Sequence, residues 1–267
     1  MYYYTIALIG GIMRFLVLFA GIFMVFTGGF AKNTEWDLLG LYGNVKSMKI
    51  QDYQLDPENS KQVLISEETY KFTKDGLLTA ADFSAEGGEV TFQSSFKYKS
   101  DSSGNIIEKK EFDEGKNLLM TYVFQYDKAG KLTAKNSKSA YPEEPNVQER
   151  YTYDAAGKLL KIDKVYVGMG TEVLQYVYDQ SGKVQAEKWK NDVGDPLEWT
   201  ILYAYDKNGQ VAEKQGLQGA GEDWVSKKFQ YDAKGNVTVV EEWQLAEADG
   251  AGEMVMVGSL KYEYMYW

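Results

Sequence analysis

The chain has 267 residues, with 29 basic and 39 acidic side chains and neither histidine nor cysteine. Without imidazole or thiol there is no Ser-His-Asp or Cys-His catalysis and no zinc site with its usual ligands. The net charge of −10 argues against nucleic-acid phosphates and anionic lipid surfaces as partners.

Residues 1–31 differ in kind from the rest. Arg14 is their one charged side chain, and the first acid is Glu35. Met13-Arg14, the apolar run 15–26 and Gly29-Phe30-Ala31 read as a secretory signal cleaved after Ala31, with Met13 as a possible true start. The apolar run from Tyr2 is also long enough to span a bilayer as an anchor. The signal reading is preferred. It leaves one domain, residues 32–267, exported and without an integral membrane segment. Cleavage removes one base and no acid, so the net charge moves from −10 to −11.

From residue 70 onward one phrase recurs: aromatic, any residue, aromatic, Asp, two residues, Gly, a polar residue, an aliphatic. Tyr151-Thr152-Tyr153-Asp154 leads to Gly157 and Leu159; Tyr203-Ala204-Tyr205-Asp206 leads to Gly209 and Val211. The anchoring glycines are 76, 104, 130, 157, 182, 209 and 235, spaced 28, 26, 27, 25, 27 and 26 residues apart. A period of that length marks a stacked array. Aromatics two apart share one strand face. The Asp carboxylate accepts backbone N–H groups in a turn, and the glycine supplies the positive φ that leads into a return strand. Each phrase is therefore a β-hairpin, and neighbouring hairpins cover one another's apolar faces.

The expectation is an all-β protein of tandem antiparallel hairpins with a period of about 26 residues. The hairpins form one long, strongly coiled meander, an open half-barrel or spiral with its Tyr/Leu face concave. The terminal repeats are atypical. Gly43-Asn44-Val45-Lys46 resembles a return strand without its first half, and Tyr262-Glu263-Tyr264 an entering strand without its turn. Residues 136–146, 191–196, 215–222 and 246–252 fall midway between turn glycines and read as longer loops on the opposite rim, where binding commonly resides.

The phrase resembles the YD repeat of the RHS family over roughly residues 70–267. The resemblance implies hairpins winding into a spiralling sheet and, in large members, a shell around a toxin payload. This chain is too short for such a shell.

Only carboxylate chemistry remains. The adjacent acids Glu67/Glu68, Glu143/Glu144, Glu222/Asp223 and Glu241/Glu242 point to opposite strand faces and read as solvated charge. No enzyme, cofactor or metal site is expected, since most turns offer Lys or Ala where a calcium loop needs oxygen ligands. An outer-membrane barrel is disfavoured because charges interrupt the apolar alternation. Trp199 shares the parity of Tyr203 and Tyr205 and should face inward. Trp189 and Trp224 count out of phase with the core and should emerge on the polar outer face unless a bulge intervenes. They are candidate ligand-binding residues, with packing under loops as the other reading. The function expected is a secreted, periplasmic or cell-surface binding module for a glycan or envelope polymer. The alternative is a structural or adhesin-like component that pairs its sheet edges with another envelope or surface protein.

Overall fold

A computed structural model describes residues 34–56, 59–85, 90–194, 197–218, 223–245 and 254–267. The proposed signal segment lies outside them, as do the whole 246–252 loop and parts of the 191–196 and 215–222 loops. Among the described residues a short helix, α1 (Glu35–Leu38), is followed by sixteen antiparallel strands in simple meander order. They are β1 (Val45–Leu55), β2 (Gln62–Phe72), β3 (Leu78–Ala85), β4 (Val90–Ser100), β5 (Ile106–Phe112), β6 (Leu118–Tyr126), β7 (Leu132–Ser139) and β8 (Val147–Tyr153). The second half comprises β9 (Leu159–Tyr166), β10 (Gly170–Tyr178), β11 (Val184–Asn191), β12 (Leu197–Tyr205), β13 (Val211–Gln218), β14 (Asp223–Tyr231), β15 (Val237–Leu245) and β16 (Met254–Tyr266). Strands β7 and β13 extend into the stretches 136–139 and 215–218 that the sequence suggests as loop.

Each repeat builds the expected turn. In Asp206-Lys207-Asn208-Gly209, the Asp206 carboxylate accepts the N–H groups of Asn208 and Gln210, both at 2.8 Å. Gly209 sits at φ +81°. Even the divergent first copy keeps the pattern, with Thr73 Oγ1 accepting the Leu77 N–H at 3.1 Å in place of a carboxylate. The second aromatic of the phrase has a further task. Its hydroxyl crosses to the carbonyl of the aliphatic one repeat earlier: Tyr126 to Ile106 at 2.8 Å, Tyr178 to Leu159 at 2.6 Å, Tyr205 to Val184 at 2.8 Å and Tyr231 to Val211 at 2.8 Å. Burial pushes the Tyr153 and Tyr178 hydroxyls up to about 12, so they remain donors. Such a bond adds about 1 kcal/mol and ties each hairpin to the last.

The open half-barrel is overturned: β1 pairs with β16, and the sheet is a closed barrel. The two atypical ends are two halves of one interrupted hairpin. Tyr266 pairs with Val45, with a register shift beside it, as Tyr178 pairs with Val184 and Tyr205 with Val211. Trp267 N–H then donates to the Asn44 carbonyl at 3.0 Å, and Tyr264 makes the inter-repeat bond, to the Val237 carbonyl, at 2.7 Å. An open sheet would leave two rows of unpaired backbone groups; closure satisfies both.

A single closed sheet has one place to hide side chains from water, its lumen. The repeat aromatics and aliphatics line it, in one buried group around Met48, Tyr70, Leu78, Val240 and Tyr262 and another around Tyr151, Ile162, Tyr176 and Val184. The outer face carries ion pairs such as Lys71–Asp82 at 2.9 Å, Lys99–Glu108 at 3.0 Å and Lys190–Glu198 at 2.7 Å. Between these pairs the same face exposes apolar side chains such as Val123, Val165, Val177 and Leu202.

The segment leading into β1 caps the Asp-x-x-Gly rim. Trp36 packs near Phe72 and donates from Nε1 to the Val45 carbonyl at 3.0 Å. Asn236, 1% exposed, clasps the same segment: its Oδ1 accepts the Tyr42 N–H at 2.6 Å, and its Nδ2 donates to the Tyr42 carbonyl at 2.9 Å and to the Tyr266 hydroxyl at 2.8 Å. A Cβ on Gly76, at φ +80°, would lie 2.7 Å from the Trp36 ring, whereas on Gly130, at φ +79°, it would meet nothing within 4 Å. Gly130→Ala should therefore cost only the left-handed backbone penalty, about 1–2 kcal/mol. Gly76→Ala should cost roughly twice that, because Trp36 must also move. Chemical denaturation of both variants checks the difference.

Candidate binding site in the barrel lumen

The lumen is layered. Nearest the Asp-x-x-Gly rim it is apolar. Toward the loop rim the inward positions become polar and charged, a pattern suited to a sixteen-strand barrel, whose interior is too wide for side chains alone to fill. Lys109 pairs with Glu35 at 2.8 Å, Lys135 with Glu149 at 2.9 Å, Lys164 with Glu172 at 2.6 Å and Lys227 with Glu242 at 2.5 Å. Tyrosines complete the belt: Tyr70 donates to Glu68, Tyr151 to Glu149, and Tyr122 to Glu111 at 3.0 Å. Burial raises the Glu68 carboxyl above the ordinary range, with Tyr70 opposing it. Burial also works against the charge of Glu149, but Lys135, Tyr151 and Lys164 together hold that carboxyl below its usual value. Glu68 is thus a buried lumenal acid rather than the solvated charge its position beside Glu67 suggests.

One sector, β10–β13, stands apart. Val177 pairs with Ala186 while Tyr178 pairs with Val184, so Gln185 is an extra residue in β11. That bulge inverts the parity beyond it. Glu187 and Trp189 therefore turn inward, opposite Tyr176 and Leu174. The sequence count placed Trp189 on the outer face, and the bulge corrects it: Trp189 is lumenal and is the direct cross-strand partner of Trp199, which faces inward as expected. Both indoles are half-buried, two residues from the loop-rim ends of β11 and β12. Trp224 lies in β14 with its Cα paired to Leu217, and its side chain lies outside the described residues.

On the neighbouring strand, Gly216 makes room for Trp199. A Cβ there would lie 3.3 and 3.4 Å from Cε3 and Cζ3 of the indole, so the six-membered ring rests against bare backbone. Deeper in, Glu187, 7% exposed, accepts the Tyr203 hydroxyl. Tyr176, 4% exposed, keeps a hydroxyl without a hydrogen-bond partner among the described residues. Burial first, and Glu187 second, push both tyrosines well above their ordinary range, so both stay protonated. Lys214 places its ammonium 4.6 Å from the Tyr203 ring centre. An aromatic pair, hydroxyl donors, a carboxylate and a cation thus share one wall. The local signal for this sector was the bulge that follows each turn, which a parity count ignores.

No family model matches the chain. It is 26% identical over 199 residues to a probable deoxyribonuclease RhsB of Dickeya dadantii (strain 3937), a match covering 73% of this chain and 12% of that protein. The likeness supports an RHS-like relationship and does not assign a specific family. The chain spans about one-eighth of that relative. Among solved structures, a porin-like protein from Bacteroides uniformis ATCC 8492 superposes with a TM-score of 0.55 at 12% identity, covering 89% of this chain and all of that one. A porin-like protein from Bacteroides vulgatus ATCC 8482 gives a TM-score of 0.46 at 14% identity, over 84% and 99% of the two chains. The first of these shares the barrel fold, and at that identity the likeness concerns fold alone.

Proposed function

We propose that the protein is a non-enzymatic binding module of the cell envelope or surface that takes a saccharide on the lumenal Trp189–Trp199 wall. The Trp199 ring backed by Gly216 carries this reading. A ring pressed against backbone on one side offers the other as a stacking platform, and aromatic platforms beside hydroxyl and carboxylate partners suit sugars, which have apolar ring faces and polar edges. The apolar leader and the porin-like fold of the barrel support an exported location. Edge pairing with a protein partner required an unpaired terminal strand, and β1 and β16 are paired to each other. The site therefore belongs to the lumen rather than to an edge.

Thermal unfolding of the full chain against a panel of polysaccharides tests the reading. A ligand of the folded state raises the midpoint with concentration. Trp199→Ala and Trp189→Ala are each expected to weaken that ligand about tenfold, the scale of a lost aromatic contact. Gly216→Val should do the same by lifting the Trp199 ring off the wall. Absence of any midpoint shift across the panel would reject saccharide binding.

A further inference from the structure

Four of the lumenal lysines, Lys109, Lys135, Lys164 and Lys227, each touch a carboxylate. Lys214 does not. Its inward position follows from its pairing with Tyr203 on one side and Lys227 on the other. Its ammonium rests on the rings of Tyr203 at 4.6 Å and Phe229 at 6.0 Å. It is half-buried, and burial first, with Glu187 opposing it and Lys227 adding to it, lowers its affinity for a proton. Glu187, the acid whose charge acts on Lys214, is already engaged by the Tyr203 hydroxyl. Lys227 stands directly across the strand pair from Lys214, and like charges so placed are destabilising unless something lies between or beside them. A half-buried cation with no contacting anion among the described residues is costly in a sheet that elsewhere pairs its lumenal cations.

Lys214 is two residues along β13 from Gly216, on the same face. That spacing is about 7 Å. A pyranose ring stacked on the Trp199 indole above Gly216 covers this span when an acidic group on the ring accepts a hydrogen bond from the ammonium.

We infer that the ligand of this site is an acidic saccharide, stacked on Trp199 with its anionic group accepting from Lys214. The inference rests on the saccharide reading above and narrows it to sugars bearing a carboxylate or a sulfate. Tyr176, whose buried hydroxyl has no partner among the described residues, is a second donor in the same sector.

Calorimetric titration of the full-length chain with an oligogalacturonide, a sulfated dextran oligomer and an uncharged dextran oligomer of equal length tests it. At least one acidic oligomer is expected to bind tenfold or more tightly than the neutral one, and the tighter of the two identifies the anionic group. Lys214→Met should erase that preference, and Lys214→Arg should retain most of it. Lys214→Met removes a half-buried charge, so it should melt no lower than the parent, which separates loss of binding from loss of fold. Equal, Trp199-dependent binding of acidic and neutral oligomers would overturn this inference alone and leave the saccharide reading standing. An acidic preference that survives in Lys214→Met would also overturn it. No binding of any oligomer would overturn both.

Discussion

Deleting β16 (Met254–Tyr266) is expected to abolish cooperative unfolding altogether. In an open array, loss of a terminal strand subtracts that strand's contacts and leaves the remaining repeats folded. In this barrel the same strand pairs on both sides, with β1 and β15. It also carries Leu260, Tyr262, Tyr264 and Tyr266 into the apolar lumen. Burial of large apolar side chains is worth about 1.5–3 kcal/mol each. Four of them approach the whole net stability of an ordinary domain, about 5–15 kcal/mol. The cut would also expose the long edges of β1 and β15, which invite intermolecular pairing. Far-UV circular dichroism with heating, together with size-exclusion chromatography, reads the outcome. A truncated chain that stays monomeric and melts sharply within a few degrees of the parent would contradict closure.

The second large effect is expected at the Glu35–Lys109 pair. Glu35 enters the lumen from α1, is 3% exposed, and binds Lys109 at 2.8 Å and the Tyr98 hydroxyl at 3.3 Å. The Lys109 side chain is 12% exposed and lies over the Phe96 ring at 4.6 Å. Removing one partner of a buried pair strands the other charge, at a cost of about 3–5 kcal/mol. Glu35→Gln and Lys109→Met should each lose about that much. The double variant Glu35→Gln/Lys109→Met should recover most of it, because the uncompensated charge is gone. A coupling near zero across that cycle would show that the pair contributes nothing and that α1 is held by Trp36 and the Asn236 clasp alone.

The repeat and its turns were legible because they rest on local chemistry. Asp206, Gly209 and their equivalents form their turn from contacts within five residues, so identity and spacing suffice. The hydroxyl of the second aromatic was not legible as a tie between repeats, because Tyr205 and Val184 meet only when two hairpins lie side by side. Trp199 was placed correctly because β12 runs regularly from Trp199 to Tyr203. Trp189 was misplaced because one extra residue at Gln185 reverses every later side chain in β11. Glu68 looked like a solvated acid for a related reason. A strand's polar face is read as outward by default, whereas a wide barrel accepts charge on its inner face.

The sequence by itself determined an all-β array of antiparallel hairpins, the two unlike rims and the chemistry that the missing histidine and cysteine forbid. All of these follow from composition or from neighbours close along the chain. Closure into a barrel, the ion-paired lumen, the Trp189–Trp199 wall and the lumenal place of Lys214 were decided only in three dimensions. Each depends on partners brought together from distant strands. Val45 and Tyr266 are complementary halves of one hairpin, yet only the accumulated twist and curl of the strands between them sets those halves side by side.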